Sequence, residues 1–433
     1  MGSPRRKKPF ILSHILSTPR ANLAMRLILL VYLLPTLALH AENWPQWRGP
    51  RLDGTSADPA PPTKWSASEN ITWKTALPGE GHASPIVWND RIFTVSADEK
   101  TNERLLICLD RANGSILWKS TVLTAPLEPI HRLNSHASST PATDGERIFT
   151  AFLDKDQAVV TAHDFSGKQL WLKRPGRFSS MHGFCSSPIV HRDKVIVNCD
   201  HDGDGYIVAL ARADGRELWR IDRPNKTRSY CVPLIRTIAG RTQMVLSGSK
   251  CVASYDPDTG KLLWIMDGPT EQFVASLVFN ERAGLFFLTA GYPQHHILAI
   301  RPDGTGNVTD SAIAWRTNKG AAYVPSPIAE GDWCLVVSDS GVAHCFAAAT
   351  GEIAWQERTG EQHASLIASQ GLVYFLNDNG VTNIVRPGAK FDLVAKNEIG
   401  EPAFASPAFS EGQIFIRGEK NLYCIGARQA PAK

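Results

Sequence analysis

A turn ending in Gly leads, four residues later, to Trp at five places along this chain: Asn113-Gly114 to Trp118, Ser166-Gly167 to Trp171, Asp214-Gly215 to Trp219, Thr259-Gly260 to Trp264 and Thr350-Gly351 to Trp355. Two looser copies are the stretch from Asp303 to Trp315 and Pro387-Gly388 running into Leu393-Val394. An alternating apolar run precedes each copy, and a Ser-Pro-Ile-Val-like entry into the next unit follows. Several short strands in a period of roughly forty residues are the signature of a β-propeller. This recurrence constrains the fold far more than it constrains function.

The first unit lays out four strands: Ser84-Pro85-Ile86-Val87, Arg91 to Val95, Leu105 to Leu109 and Ser115 to Lys119. The same order restarts at Thr140-Pro141, Ser187-Pro188, Val232-Pro233, Ser276-Leu277, Ser326-Pro327, Ser365-Leu366 and Ser406-Pro407. The last unit reaches its third strand at Leu422 to Ile425 and has no fourth. Asn70-Ile71-Thr72-Trp73-Lys74 reads as a fourth strand with no predecessors. Pairing the two closes the ring and removes the open edges of a linear array. The predicted fold is all-β: an eight-bladed propeller of four-stranded antiparallel blades, closed by the N-terminal strand. Each indole is expected to pack between neighbouring blades, because large aromatics mainly supply buried area.

Arg5-Arg6-Lys7-Lys8, Arg20 and Arg26 precede an apolar run from Leu27 to Leu39, with a small residue at Ala41. This reads as a secretory signal over 1–41, its apolar core too short to span a bilayer. Met25 is an alternative start to Met1, making 1–24 an over-called extension. Removing 1–41 takes away six Lys/Arg and no Asp/Glu, so the formal charge moves from +4 to −2. A nearly neutral mature chain argues against nucleic acid as a partner. On this reading the mature chain is expected to have no transmembrane span and no Cys placed for a lipid anchor. Residues 42–68 read as an arm whose Trp44 and Trp47 either pack on one face of the ring or form an exposed aromatic clamp for a partner, 69–426 as the propeller and 427–433 as a tail. The expected location is secreted or periplasmic.

Three constellations are candidates for a site. The residue three before each Pro, or its equivalent, falls where the chain enters the innermost strand: His82, Ser138, Cys185, Tyr230, Val274, Val324, His363 and Phe404. His136 and His182 lie a few residues from that level. Imidazoles converging on a channel mouth suit a metal or a carboxylated ligand, or simply line a solvated pore. Arg228 and Tyr230 would add a cation and a stacking face, which suits a small anionic or planar ligand. The second constellation is Asp200-His201-Asp202-Gly203-Asp204-Gly205. Its alternate carboxylates resemble the opening of a Ca²⁺ loop, but Ala211 stands where a bidentate Glu belongs. An ordinary acidic hairpin is the other reading. The third is sulfur: Cys334 and Cys345 flank one hairpin and face each other in only one register, and Cys185 and Cys231 precede adjacent inner strands. No Cys-x-x-Cys or zinc spacing occurs.

The Gly-x-x-x-Trp turns resemble the repeat of pyrrolo-quinoline-quinone (PQQ)-type propellers, in which an Asp stands four residues before the Gly. Asp110, Gly114 and Trp118 match that pattern, as do Asp256, Gly260 and Trp264, whereas Ala211 and Ala347 depart at the Asp. The resemblance implies one of two branches: quinoprotein dehydrogenases, which hold PQQ and Ca²⁺ over the channel, or outer-membrane-assembly propellers, which bind a partner protein and no cofactor. The dehydrogenases resemble one another in a pair of adjacent cysteines, and no Cys-Cys occurs here. Their metal-binding Glu and Asn and their catalytic Asp have no evident counterparts. The expectation is a non-enzymatic protein- or ligand-binding scaffold; the alternative is a periplasmic quinoprotein-like oxidoreductase using PQQ and Ca²⁺. No catalytic residue is assigned.

Overall fold

The computed structural model describes residues 42–429; the signal segment expected over 1–41 lies outside them. Among these residues every regular element is a strand, and the strands form eight sheets. Blade 1 runs Ile86–Trp88, Arg91–Asp98, Glu103–Asp110, Ile116–Thr124, each antiparallel to the last, and blades 2 to 7 repeat the order. Blade 8 is stitched as expected: Ile71–Ala76 pairs antiparallel with Asn421–Ile425, outside Gln413–Arg417 and Ala408–Ser410. No helix among the described residues is long and apolar enough to cross a membrane.

Two blades depart from four strands. Thr55–Ser56 of the arm adds a parallel strand inside blade 7, against Ile367–Ser369. Gly306–Asn307, from the looser repeat of blade 5, adds a parallel strand outside blade 4, against Leu262–Asp267. That hook covers Trp264, which is fully buried and donates its indole N–H to Gln243 Oε1 at 3.0 Å.

Period-two alternation decides which blade each side chain meets. In blade 1, Ile92, Ile107 and Leu109 pack with blade 8, and Phe93, Val95 and Cys108 pack with blade 2. The core therefore lies in layers between blades, around an axis lined by the short inner strands.

The repeated Gly and Trp lock neighbouring blades together. Trp73, Trp118, Trp171, Trp219 and Trp315 each donate their indole N–H to a backbone carbonyl in the next blade's Gly turn: Arg111, Phe165, Arg212, Pro257 and Ala348, at 2.8 to 3.2 Å. The Gly of that turn rests on the same ring. A Cβ on Gly114 would stand 2.5 Å from Trp73, and one on Gly351 would stand 2.6 Å from Trp315. Each of these glycines also has positive φ, so no larger residue fits either the backbone or the space.

The Ser-Pro entries form a second lock near the axis. The inner strand is a sheet edge, so its amides need partners outside the blade. The N–H of Ser84 donates to Thr140 Oγ1, Thr140 to Ser187, Ser276 to Ser326, Ser326 to Ser365 and Ser365 to Ser406, each about one blade onward at 2.9 to 3.1 Å. Val232 breaks the series as an acceptor, yet its own N–H donates to Ser276 at 2.8 Å. At the closing seam the fully buried Arg417 of blade 8 donates to Thr94 Oγ1 and Ser96 Oγ of blade 1 at 3.0 and 2.9 Å.

Candidate functional site

The arm closes one end of the channel. Trp44 bridges Val87 of blade 1, Pro45 accepts from the Thr143 amide of blade 2, and Gln46 accepts from Val190 of blade 3. Asp53 pairs with Arg236 of blade 4. The fully buried Arg48 donates to Pro327 O at the entry to blade 6, at 2.6 Å, and Asp58 accepts from Gly412 of blade 8. Trp47, half-buried, forms the floor beneath the inner strands. The channel is therefore a cup.

Above that floor the side chains stand in two tiers. The lower tier holds the hydroxyl ring, among it Ser84, Thr140, Ser187, Ser326, Ser365 and Ser406. The upper tier is the ring expected from the Pro spacing, and all eight positions, from His82 to Phe404, line the cup. The mouth widens to a cavity of about 600 Å³ that adds His131, His182, Tyr292, His295, Tyr323 and Asp339.

Local bonds orient these groups. Phe404 packs against His82, ring centroids 4.9 Å apart, and against His363 at 6.2 Å. His363 Nδ1 meets Asp378 Oδ2 at 2.6 Å, and its backbone N–H donates to the other oxygen at 2.9 Å. Tyr230 exchanges bonds with Ser180 Oγ at 2.5 Å and His182 Nδ1 at 2.9 Å. Tyr323 donates its hydroxyl to Gln272 at 3.0 Å and packs against Gly291, where a Cβ would come within 2.6 Å. Asp339 accepts from the amides of Tyr323 and Val324 at 2.8 and 3.1 Å.

The imidazoles divide electrostatically. Burial, with the nearby Arg417 charge, pushes His82 down to about 4, so it is neutral at pH 7. Burial, then Arg228 and His131, also lower His182. Burial works against the protonated form of His363 too, but the Asp378 hydrogen bond and charge outweigh it and raise this group. Burial pushes the Cys185 thiol up to about 12, which leaves it a poor nucleophile.

Two of the six expected mouth residues lie elsewhere. His136 turns towards blade 1, with Nδ1 3.1 Å from Glu99 and Nε2 2.9 Å from Glu128 O. Arg228 sits outside the cavity lining, held by Asp202 and by Met181 Sδ at 3.2 Å. The anionic ligand expected on its account loses its cation. Among the described residues, no Lys or Arg lines the cup.

The acidic hairpin does not converge. Asp200 is fully buried on Arg223 Nε and Ser229 Oγ, both at 2.8 Å; Asp202 takes Arg228; Asp204 takes Lys226 at 2.7 Å. Three separate ion pairs stand where the spacing suggested a Ca²⁺ loop. Among the described residues, no group of three or more His, Cys, Asp or Glu is arranged to hold a metal.

All eight cysteines are free. Cys334 registers with Phe346, and Cys345 with Leu335, so the two sulfurs point to opposite faces of blade 6. Cys231 Sγ donates to Ala275 O at 3.2 Å, while Cys185 faces the channel.

Asp339, Asp378 and Tyr323 were missed from sequence. The first two sit in the Asp-Ser-Gly and Asp-Asn-Gly hairpins of blades 6 and 7, between Trp333–Val337 and Val342–Ala347 and between Leu372–Leu376 and Val381–Arg386. The Asp-x-Gly that these two turns share was the available signal.

The family model described as outer membrane protein assembly factor BamB matches residues 101–278 and 296–387. Among solved structures, BamB from Moraxella catarrhalis is similar at a TM-score of 0.58 and 13% identity, over 81% of this chain and 98% of that one. A europium-containing methanol dehydrogenase is similar at 0.54 and 11%, over 89% and 98%. The computationally designed Ika8 protein is similar at 0.55 and 11%, over 83% and 100%. At these identities the likeness is one of fold. No curated protein sequence matches the chain significantly.

Proposed function

Because the chain belongs to the family of the outer membrane protein assembly factor BamB, a propeller family of PQQ-type repeats, we propose that it is a secreted or periplasmic, non-enzymatic binding scaffold. Its binding face is the open mouth of the cup. One observation carries this reading: among the described residues the arm seals the opposite end with Trp47, and the open end is a cavity of about 600 Å³ where residues from many blades converge. Convergent concave surfaces of this kind are where ligands and partner loops bind.

The donor set supports binding over the quinoprotein alternative. PQQ is a polyanionic quinone held beside Ca²⁺, and such a pair calls for cationic side chains and clustered carboxylates. The mouth has neither: Asp339 is the one carboxylate that lines it among the described residues, Asp378 is engaged by His363, and Asp200, Asp202 and Asp204 are each engaged by a separate cation. These residues do not fit that group.

Site-specific photo-crosslinking tests the proposal. A crosslinker at Tyr292, exposed on the mouth, should trap a partner or ligand in its native envelope, and one at Arg192, exposed on a hairpin beyond the inner strands, should not. Capture from Arg192 alone would refute the mouth as the binding face. A stoichiometric quinone chromophore after adding PQQ and Ca²⁺ would favour the enzyme instead.

A further inference from the structure

We propose that the mouth cavity is a receptor site for an organic cation with an apolar body, such as an alkylated or quaternary ammonium, seated among Tyr230, Tyr323 and Phe404 with Asp339 as its counter-charge. The inference rests on the mouth being the binding face and adds the chemistry of its occupant.

The charge inventory points this way. No Lys or Arg lines the cavity among the described residues, and Arg228, the nearest guanidinium expected there, is held outside by Asp202. Asp339 lines the cavity, and both of its oxygens accept from neutral backbone amides, which orient the carboxylate without cancelling its charge. His363 and Asp378 compensate each other at 2.6 Å, and His82 is neutral at pH 7. Asp339 is thus the one carboxylate of the cavity lining among the described residues, with no cationic partner of its own. The unpaired Arg417 charge lies behind His82 at the closing seam. Within apolar walls a charge opposite to Asp339 interacts with it more strongly than in bulk water.

The walls add the second element. A cation is attracted to the negative face of an aromatic ring within about 6 Å of its centroid, and quaternary ammonium groups exploit this because they offer no hydrogen bonds. The rings are fixed before any ligand arrives: Tyr230 by Ser180 and His182, Tyr323 by Gln272 and Gly291, Phe404 by His82. Ordering them on binding costs little. Val274 and Val324 complete an apolar wall for the body of the ligand.

The test scans charge on one scaffold. The chain from residue 42 onward is titrated calorimetrically with benzyltrimethylammonium, benzyl alcohol and benzoate. The cation should bind at least about tenfold more tightly than the alcohol, and benzoate more weakly than either. Asp339→Asn should erase the preference for the cation over the alcohol. Because Asn keeps only one acceptor for two amides, Phe404→Leu serves as a second variant. It leaves the charge intact and should weaken the cation about fivefold while sparing the melting temperature. Equal binding of cation and alcohol, or tighter binding of benzoate, overturns the cation assignment but leaves the mouth as a binding face. Binding of none of the three overturns it as well, whereas the crosslinking result at Tyr292 is judged independently.

Discussion

Gly331 and Gly351 lie in the same blade, and replacing each by Ala separates two costs that the repeat combines. Both have positive φ, +58° and +76°, so Ala at either site meets backbone strain of about 1–2 kcal/mol. Nothing stands within 4 Å of a Cβ on Gly331. A Cβ on Gly351 would lie 2.6 Å from two atoms of the Trp315 indole. That ring cannot yield easily: its N–H is bonded to Ala348 O at 2.9 Å, and it packs between Phe287 and Phe346 at 5.6 and 6.1 Å. Overpacking of this kind adds about 1–3 kcal/mol. Gly331→Ala should therefore cost about 1–2 kcal/mol and Gly351→Ala about 2–5 kcal/mol. With an unfolding entropy near 0.8 kcal/mol per kelvin for a ring of this length, those become drops of about 1–3 °C and about 3–6 °C. Urea unfolding followed by tryptophan fluorescence, with calorimetry for the melting temperature, measures both. A double variant adding Trp315→Leu should cost less than the two single changes together, since the clash is removed with the ring. Equal losses at Gly331 and Gly351, or strict additivity in the double variant, would refute Trp docking as the reason for the glycine.

Deleting residues 69–78 should bare the edge of Asn421–Ile425 and remove Trp73, lowering the melting temperature of the whole ring and promoting association. A deletion that melts with the intact protein would contradict the closure. His163 is fully buried, and burial pushes it down to about 4, so the unfolded chain binds its proton first as the pH falls. Its contribution is intact above the unfolded value near 6.5 and is lost between there and about 4, up to about 3 kcal/mol. His163→Gln should flatten the stability profile over that window in urea titrations.

The ring was legible because its determinants are local and periodic. Gly at a positive-φ turn and Trp four residues on can be read without knowing where the next blade lies, and the Pro spacing located all eight upper-tier positions of the cup. What failed were orientations set by partners distant in sequence. His136 stands two residues from the channel-facing Ser138, yet Glu99 and the Glu128 carbonyl draw its ring outward. Asp200, Asp202 and Asp204 have a chelator's spacing, but Arg223, Lys226 and Arg228 arrive from the next inter-blade segment and take them one by one. The arm carries no repeat, so Trp44 and Trp47 marked it as docked on one face of the ring without telling which blades it would touch or that it would seal the channel.

The stitched blade has a consequence for how the chain is made. Thr72 Oγ1 donates to the carbonyl of Gly426, 354 residues later. A ribosome adding roughly 5–20 residues per second needs roughly 20–70 seconds to cover that distance. Throughout it the N-terminal strand has no partner, and at its end the strands of seven blades flank a gap. Contacts this distant in sequence make for slow, cooperative assembly. A premature stop just before Asn421 would therefore not act as a small C-terminal trimming. It would orphan a strand synthesised at the outset, leave Trp73 without its blade, and turn a closed ring into an open array with two reactive edges.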